Sequence, residues 1–336
     1  MRIGPIDLVK RVLLVAEIGN NHEGNVEVAR ELVRRAAAAG ADAVKFQTFR
    51  TKYFVSARDR ARYDRLSSFQ LSYDDFADLQ RLARSLGLLF ISTPLDLESA
   101  AFLAPLVDAV KIASGDNNFY PLLTAACRSD KPIIMSTGLS DLDQIRKSQR
   151  FIEERWREFG VTQELAVLHC VTSYPTPPEQ ANVAAVPYLA AELGCIVGYS
   201  DHTLGIDACV AAVALGARLI EKHFTLDHAY SDFRDHQLSA DPTELAELVQ
   251  RIARVQVLVG TRAKVVQPAE AAIGPLVRRS IVAAGDLAAG HRLDWNDLTW
   301  IRPADGLPPG DEDKLLGRTL KRAVVFGEPL LPSDVE

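Results

Sequence analysis

Eight apolar runs of strand length lie before residue 225, at Val12–Glu17, Ala43–Gln47, Leu88–Ser92, Ala109–Ala113, Ile133–Ser136, Leu165–His169, Cys195–Ser200 and Arg218–His223. Amphipathic stretches such as Asn25–Ala39, Tyr73–Ser85 and Asp207–Leu215 separate them. Strands alternating with helices of that length build parallel βαβ units, because parallel neighbours need a crossover long enough to hold a helix. Eight such units close a (β/α)₈ barrel. The competing open, doubly wound sheet wants a glycine-rich phosphate loop after its first strand. Here that position reads Ile18-Gly19-Asn20-Asn21-His22-Glu23-Gly24, which lacks the G-x-G-x-x-G spacing.

The chain has 336 residues, room for a barrel and an appendage. Residues 1–258 are read as the barrel domain and 259–278, where periodicity stops, as a linker. Residues 279–336, rich in Gly, Pro and Asp, are read as a small domain. That domain carries an internal echo: Gly290-x-x-Leu293-x-x-x-Asp297-Leu298 and Gly327-x-x-Leu330-x-x-x-Asp334-Val335 share one spacing. The echo predicts a repeated turn and short helix.

Charge and cysteine narrow the function classes. Lys plus Arg number 38 against 44 Asp plus Glu, a net charge of -6. A general nucleic-acid binder needs an excess of cations, so none is expected as a partner. No apolar stretch approaches the ~20 residues that cross a bilayer, so no membrane association is expected. The run Val12–Ala16 flows into Glu17-Ile18-Gly19 without a small-residue cleavage site, so it reads as a core strand and not a signal peptide. Cys127, Cys170, Cys195 and Cys209 form no CxxC pair and sit among apolar residues, which predicts reduced, buried thiols and a cytoplasmic location.

Barrel enzymes place their chemistry at the C-terminal ends of the strands, and most of the eight runs finish on reactive side chains. In order these are Glu17; Lys45 and Gln47; Ser92-Thr93; Lys111 before Ser114-Gly115-Asp116; Ser136-Thr137-Gly138; His169 through Thr172 to Tyr174; Ser200-Asp201-His202; and Lys222-His223. Singly, each has an ordinary explanation as a cap, a turn residue or a snorkelling lysine. Together they describe a polar crater over an apolar barrel. Lys45 and Lys111, with hydroxyls and Gly-containing turns, suit a phosphate or carboxylate. His202 and His223 end neighbouring strands about 4.8 Å apart, so two imidazoles could share a divalent ion with positions left open for substrate oxygen. His169 is expected to pack, whereas His22 and His236 are expected to approach the crater. Glu17 is a candidate acid or base that burial would tune. A different chemistry, a Schiff-base aldolase, would use Lys222 or Lys111 as the amine.

The stretches AEIGNNHEGN (16–25), AGADAVKFQT (39–48), FISTPLD (90–96), VKIASGDNN (110–118), PIIMSTG (132–138), LHCVTSYPTP (168–177), GYSDHTLG (198–205) and EKHFTLD (221–227) resemble the sialic acid synthase (N-acetylneuraminate synthase) family. The tail from Arg279, with RRSIVAAGDLAAG and WIRP, resembles an antifreeze-like (SAF, β-clip) domain. The resemblance covers nearly the whole chain. It implies a TIM barrel with a C-terminal SAF domain in a domain-swapped homodimer. It also implies condensation of phosphoenolpyruvate with the open-chain aldehyde of an N-acetylated amino sugar, such as N-acetylmannosamine, to a nonulosonic acid plus phosphate. By the resemblance, His202 and His223 bind a divalent metal, Mn2+ above Mg2+ or Co2+. Lys45, Thr93, Lys111, Ser114, Ser136, Thr172, Tyr174 and Ser200 fall at phosphoenolpyruvate positions, with Thr172 standing where Asn is common. Glu17 falls at the acid/base position, and Asp116, Asp235 and Arg302 at positions that touch the sugar.

Two departures concern the acceptor: Asp116 replaces a common Glu, and Tyr230-Ser231-Asp232-Phe233-Arg234 replaces a common Gly-Pro. They leave open an acceptor leading to legionaminic- or pseudaminic-type acids, or one whose acidic group meets Arg234. A binding or ice-interacting protein, suggested by the tail alone, would leave the crater unexplained.

Overall fold

In the computed structural model, which describes residues 1–261 and 263–336, two short strands precede the first predicted run. These are β1 (Arg2–Ile3) and β2 (Ile6–Asp7), paired antiparallel. The eight runs then form β3 (Leu13–Gly19), β4 (Ala43–Thr48), β5 (Leu89–Pro94), β6 (Ala109–Ile112), β7 (Ile133–Ser136), β8 (Leu165–Cys170), β9 (Ile196–Asp201) and β10 (Leu219–His223). All pair in parallel with their sequence neighbours, and β10 returns to β3 to close the barrel. The expected (β/α)₈ barrel is the fold.

Because both faces of these strands are buried, their runs are continuously apolar and alternation is hidden. The packing restores it. Leu14, Ala16, Val44, Phe46, Phe90, Val110 and Met135 face outward into the layer between strands and helices. Leu13, Val15, Ala43, Leu89, Ile91, Ile134, Leu168 and Leu219 face inward. The β1–β2 hairpin adds Met1, Ile3, Ile6 and Leu8 to this inner cluster. It therefore caps the N-terminal end of the barrel, a role the sequence reading did not assign to it.

The helices are started by the signals read from sequence. Asn25 caps Val26–Ala39 by accepting from the backbone N–H groups of Glu27 and Val28. Ser72 and Asp75 form a reciprocal capping box at the head of Tyr73–Ser85. Such caps contribute about 1 kcal/mol each. Phe46, Phe76 and Phe90 meet at 5.8–6.0 Å between ring centroids and tie the second of these helices to β4 and β5.

The chain divides at Gly260: Met1–Gly260 contains the barrel, and Thr261–Glu336 forms a second unit. The second unit has an antiparallel pair, β11 (Ser280–Ala283) and β12 (Leu298–Ile301), over a core including Ile281, Leu293, Leu315, Leu320 and Leu330. The sequence echo is structural. Gly290 and Gly327 both adopt φ 83°, Leu293 and Leu330 are both buried, and each repeat ends in a short 3₁₀ turn, Trp295–Asp297 or Pro332–Asp334. In both, the terminal aspartate accepts the backbone N–H three residues earlier. Among the described residues no helix is long and apolar enough to cross a membrane. The four cysteines are free; Cys127, Cys170 and Cys209 are buried, whereas Cys195 is only half-buried.

Candidate active site

Strand parity decides which polar side chains enter the barrel. Above the inward apolar layer, the next inward positions are Glu17, Lys45, Thr93, Lys111, Ser136, Cys170, Ser200, Glu221 and His223. All of them border one cavity of about 430 Å3. Register sets Glu17 beside both Lys45 and His223. Lys45 Nζ lies 2.8 Å from Glu17 Oε1 and donates to Thr93 Oγ1 at 3.2 Å. Lys111 Nζ donates to Ser136 Oγ at 2.7 Å.

Between the two ammonium groups stands Glu221, which the sequence reading passed over. It lies 3.7 Å from Lys45 and 3.6 Å from Lys111, and accepts from Ser200 at 2.8 Å. Strand parity assigns it once one residue is placed: counting by twos from Leu219, which the packing shows to point inward, gives Glu221 and His223 and sends Lys222 outward. Burial pushes the Glu17 carboxyl above the usual carboxylate range, with Lys45 opposing it. Burial pushes Glu221 the same way, but Lys111 and Lys45 overcome it and hold that carboxyl low. Burial also pulls both lysines down; Glu17 and Glu221 reverse this at Lys45, while Lys111 stays below its ordinary value. Two cations thus face two carboxylates of unequal acidity. A net-neutral floor of this kind accepts an incoming anion when the more basic carboxylate, Glu17, takes a proton.

Beside this floor is a cradle of short polar groups. Gly138 N–H donates to Ser114 Oγ at 3.0 Å, and Thr172 Oγ1 is buried with no partner. A Cβ at residue 138 would stand 2.1 Å from Thr172 Oγ1 and 2.8 Å from Ser114 Oγ, so glycine lets the β7 loop approach those hydroxyls. Thr172 lines the same cavity as Lys45 and Lys111, so its unpartnered hydroxyl can donate to an acceptor oxygen such as a phosphate's.

The two histidines stand at the rim of the same cavity, with ring centroids 5.3 Å apart. His202 Nδ1–H donates to the Val171 carbonyl at 2.8 Å, which leaves the Nε2 lone pair free. His223 Nδ1 is buried without a partner. Burial lowers the pKa of both, and His202 adds to the effect on His223, so both rings are held neutral. Two neutral imidazoles, one oriented by a backbone carbonyl, would supply two nitrogen ligands to a divalent cation and leave its other positions open. Tyr174 closes over the pair, 4.1 Å from His202 and 6.1 Å from His223.

Several expectations need correction. Lys222 is outside the barrel wall and cannot serve as a Schiff-base amine in the crater; its Nζ is fully buried against Asp201 Oδ2 at 2.7 Å and Thr203 O at 2.6 Å. His22 packs on the outward-facing Phe46 and accepts from Gly24 N–H, and it borders neither lobe of the crater. His236 is likewise occupied elsewhere, by Thr225 and Glu23. His169 packs as expected, stacked on Tyr199 and bonded to the Ala181 carbonyl.

An outer lobe of about 600 Å3 adjoins the inner one and shares Gln47, Phe54, Arg62, Tyr174, His223 and Arg234 with it. Asp235 borders it, buried, its carboxyl raised by desolvation. Asp116 borders the inner lobe, and burial raises its carboxyl too. Arg302 lies just past β12 in the second unit and is exposed.

Comparison with known proteins gives the family. Residues 32–264 match the NeuB family and residues 278–336 the SAF domain. An uncharacterized protein of Methanocaldococcus jannaschii is 41% identical over 93% of this chain and 89% of its own. The N,N'-diacetyllegionaminic acid synthase of Legionella pneumophila is 36% identical over 96% and 94%. The crystal structure of an N-acetylneuraminic acid synthetase from Leptospira borgpetersenii superposes with a TM-score of 0.74, at 30% identity, over 80% of this chain and 93% of that one. With its closed barrel, polar crater and C-terminal SAF domain, the chain belongs to the NeuB family, among the synthases of sialic acid and related nonulosonic acids.

Proposed function

We propose that the crater condenses phosphoenolpyruvate with the open-chain aldehyde of an N-acetylated amino sugar, giving a nonulosonic acid and inorganic phosphate. One observation carries this: two neutral imidazoles border the same cavity as two buried lysines, two buried carboxylates and the unpartnered hydroxyl of Thr172. The floor suits a small polyanion, and the rim suits a carbonyl.

Lys45, Lys111, Ser114, Ser136, Ser200, Thr93 and Thr172 hold the phosphate and carboxylate of phosphoenolpyruvate, with Tyr174 excluding water above them. A divalent ion, Mn2+ before Mg2+ or Co2+, would be held by His202 and His223 and would supply electron withdrawal at the aldehyde oxygen. Carbon 3 of the enolpyruvyl group forms the new bond to the aldehyde carbon. Water adds to the resulting oxocarbenium at carbon 2, and the carbon–oxygen bond to phosphate then breaks. Glu17, the more basic carboxylate of the floor, takes one proton of the attacking water and returns it to the departing phosphate, while the second, released as the carbon 2 carbonyl forms, ends on the former aldehyde oxygen as its hydroxyl. Asp116 and Asp235 bind acceptor hydroxyls. Arg302 reaches the acetamido group from a partner's small domain in a domain-swapped homodimer, and the enzyme works in the cytoplasm.

Incubation of the full chain with phosphoenolpyruvate and a panel of N-acetylated amino sugars tests this. Phosphate release dependent on acceptor, abolished by chelator and restored by Mn2+, with a product of the summed mass plus one water less phosphoric acid, is expected. Borohydride trapping of a pyruvate adduct on Lys111 would instead favour the aldolase.

A further inference from the structure

The outer lobe has a charge pattern that condensation does not require. One wall is the helix Arg60–Phe69, whose residues Arg62, Arg65, Leu66 and Phe69 face the lobe at helical spacing. The other wall is the segment 232–235 after β10, which brings Arg234. Phe69 meets Phe233 edge-on at 5.2 Å and joins the two walls.

Arginines elsewhere on the barrel are mostly neutralised; on this same helix Arg60 pairs with Asp64 at 2.8 Å. Among the described residues Arg62 and Arg65 pair with no carboxylate, and Arg234 approaches only Asp235, at 3.4 Å. Three guanidinium groups therefore converge on one lobe against Asp232 and Asp235. Guanidinium presents paired donors in a fixed plane, the geometry that phosphate and carboxylate match.

The distance fits the substrate. Arg234 lies over Tyr174 at 4.7 Å, and the same ring lies 4.1 Å from His202. The guanidinium is thus no farther from the histidine than those two contacts end to end. Five carbon–carbon bonds in a zigzag span roughly 6 Å at standard bond lengths. A hexose chain with its aldehyde at the histidines therefore spans a distance comparable to that separating them from Arg234, and Arg62 and Arg65 line the same lobe.

We propose that the acceptor carries an anionic group, phosphate or carboxylate, on the end opposite its aldehyde, and that Arg62, Arg65 and Arg234 form the site that reads it. This rests on the aldehyde-condensing reading above and names its substrate class.

Calorimetric titration of the full chain with N-acetylmannosamine, its 6-phosphate and its 6-uronic acid tests the site apart from turnover. At least one anionic sugar should bind about tenfold or more tighter than the neutral one, as charge-assisted pairs imply. Stronger binding of the phosphate or of the uronate identifies which anion is read. The Arg62→Gln/Arg65→Gln variant, altered only at exposed side chains, should lose that preference while its thermal midpoint holds. Equal affinity for all three sugars, no measurable binding of either anionic sugar at millimolar concentration, or a preference that survives the variant overturns the proposal. Phosphate release in the same mixtures separates the two readings. Arginine-dependent binding without release leaves the anion site standing and removes the synthase. Condensation of the neutral sugar as readily as the anionic ones does the reverse.

Discussion

Replacing Lys222 with Met tests whether strand parity, and not sequence motif, assigns the chemistry. Lys222 Nζ and Asp201 Oδ2 are 2.7 Å apart with no exposure of either side chain. Asp201 also accepts from Tyr199 Oη at 3.0 Å and from Thr203 N–H and Oγ1 at 2.9 Å each. Those neutral donors cannot replace the ammonium. Met fills the lysine stem, so the loss is dominated by an uncompensated buried carboxylate, at about 3–5 kcal/mol. For a unit of this size each kcal/mol moves the midpoint by about 2–4 °C, so thermal unfolding should shift down by about 6–20 °C. The double variant Lys222→Met/Asp201→Asn should recover part of that loss, because the stranded charge is gone. Assayed well below its transition, Lys222→Met should still release phosphate within about tenfold of the parent, since Nζ lies behind the wall. An unmoved midpoint with abolished turnover would refute this argument and return Lys222 to the reaction.

Burial holds His22 at a pKa of about 4. The unfolded chain, at about 6.5, binds the proton first as pH falls, so this stabilisation is intact above about 6.5 and drains away towards about 4, in all by about 3 kcal/mol. Urea titrations of His22→Gln against the parent should show their difference shrink across that window; a constant difference would contradict it. Glu17→Gln should lower kcat by about 10²–10⁴-fold, the range of a lost proton-transfer group, while KM for phosphoenolpyruvate changes little. A purely binding role would move KM instead. Gly138→Ala should raise KM for phosphoenolpyruvate by about tenfold or more, since the new methyl displaces Thr172 and Ser114. Adding Thr172→Ala should relieve part of that defect, and an unchanged KM would show that the cradle is not used.

The barrel was legible because eight apolar runs spaced by helical stretches admit few closures. The small domain's repeat was legible for a similar reason, since one spacing recurs with Gly, Leu and Asp in matching places. Individual side chains were harder. In a strand buried on both faces, hydrophobicity does not alternate, so Lys222 and Glu221 look equally eligible until Leu219 is known to point inward. The β1–β2 hairpin escaped notice because its strands are only two residues each. Arg62 and Arg65 carried no signal because their meaning depends on Arg234, 169 positions away from the nearer of them in the chain, across a lobe only the fold creates.

The hairpin has a kinetic corollary. With Ile3, Ile6 and Leu8 corking the base, the barrel is open only at the C-terminal strand ends. Ligands at the lysines and at the histidines must then share a single entrance, so saturating the cavity with one should slow exchange of the other.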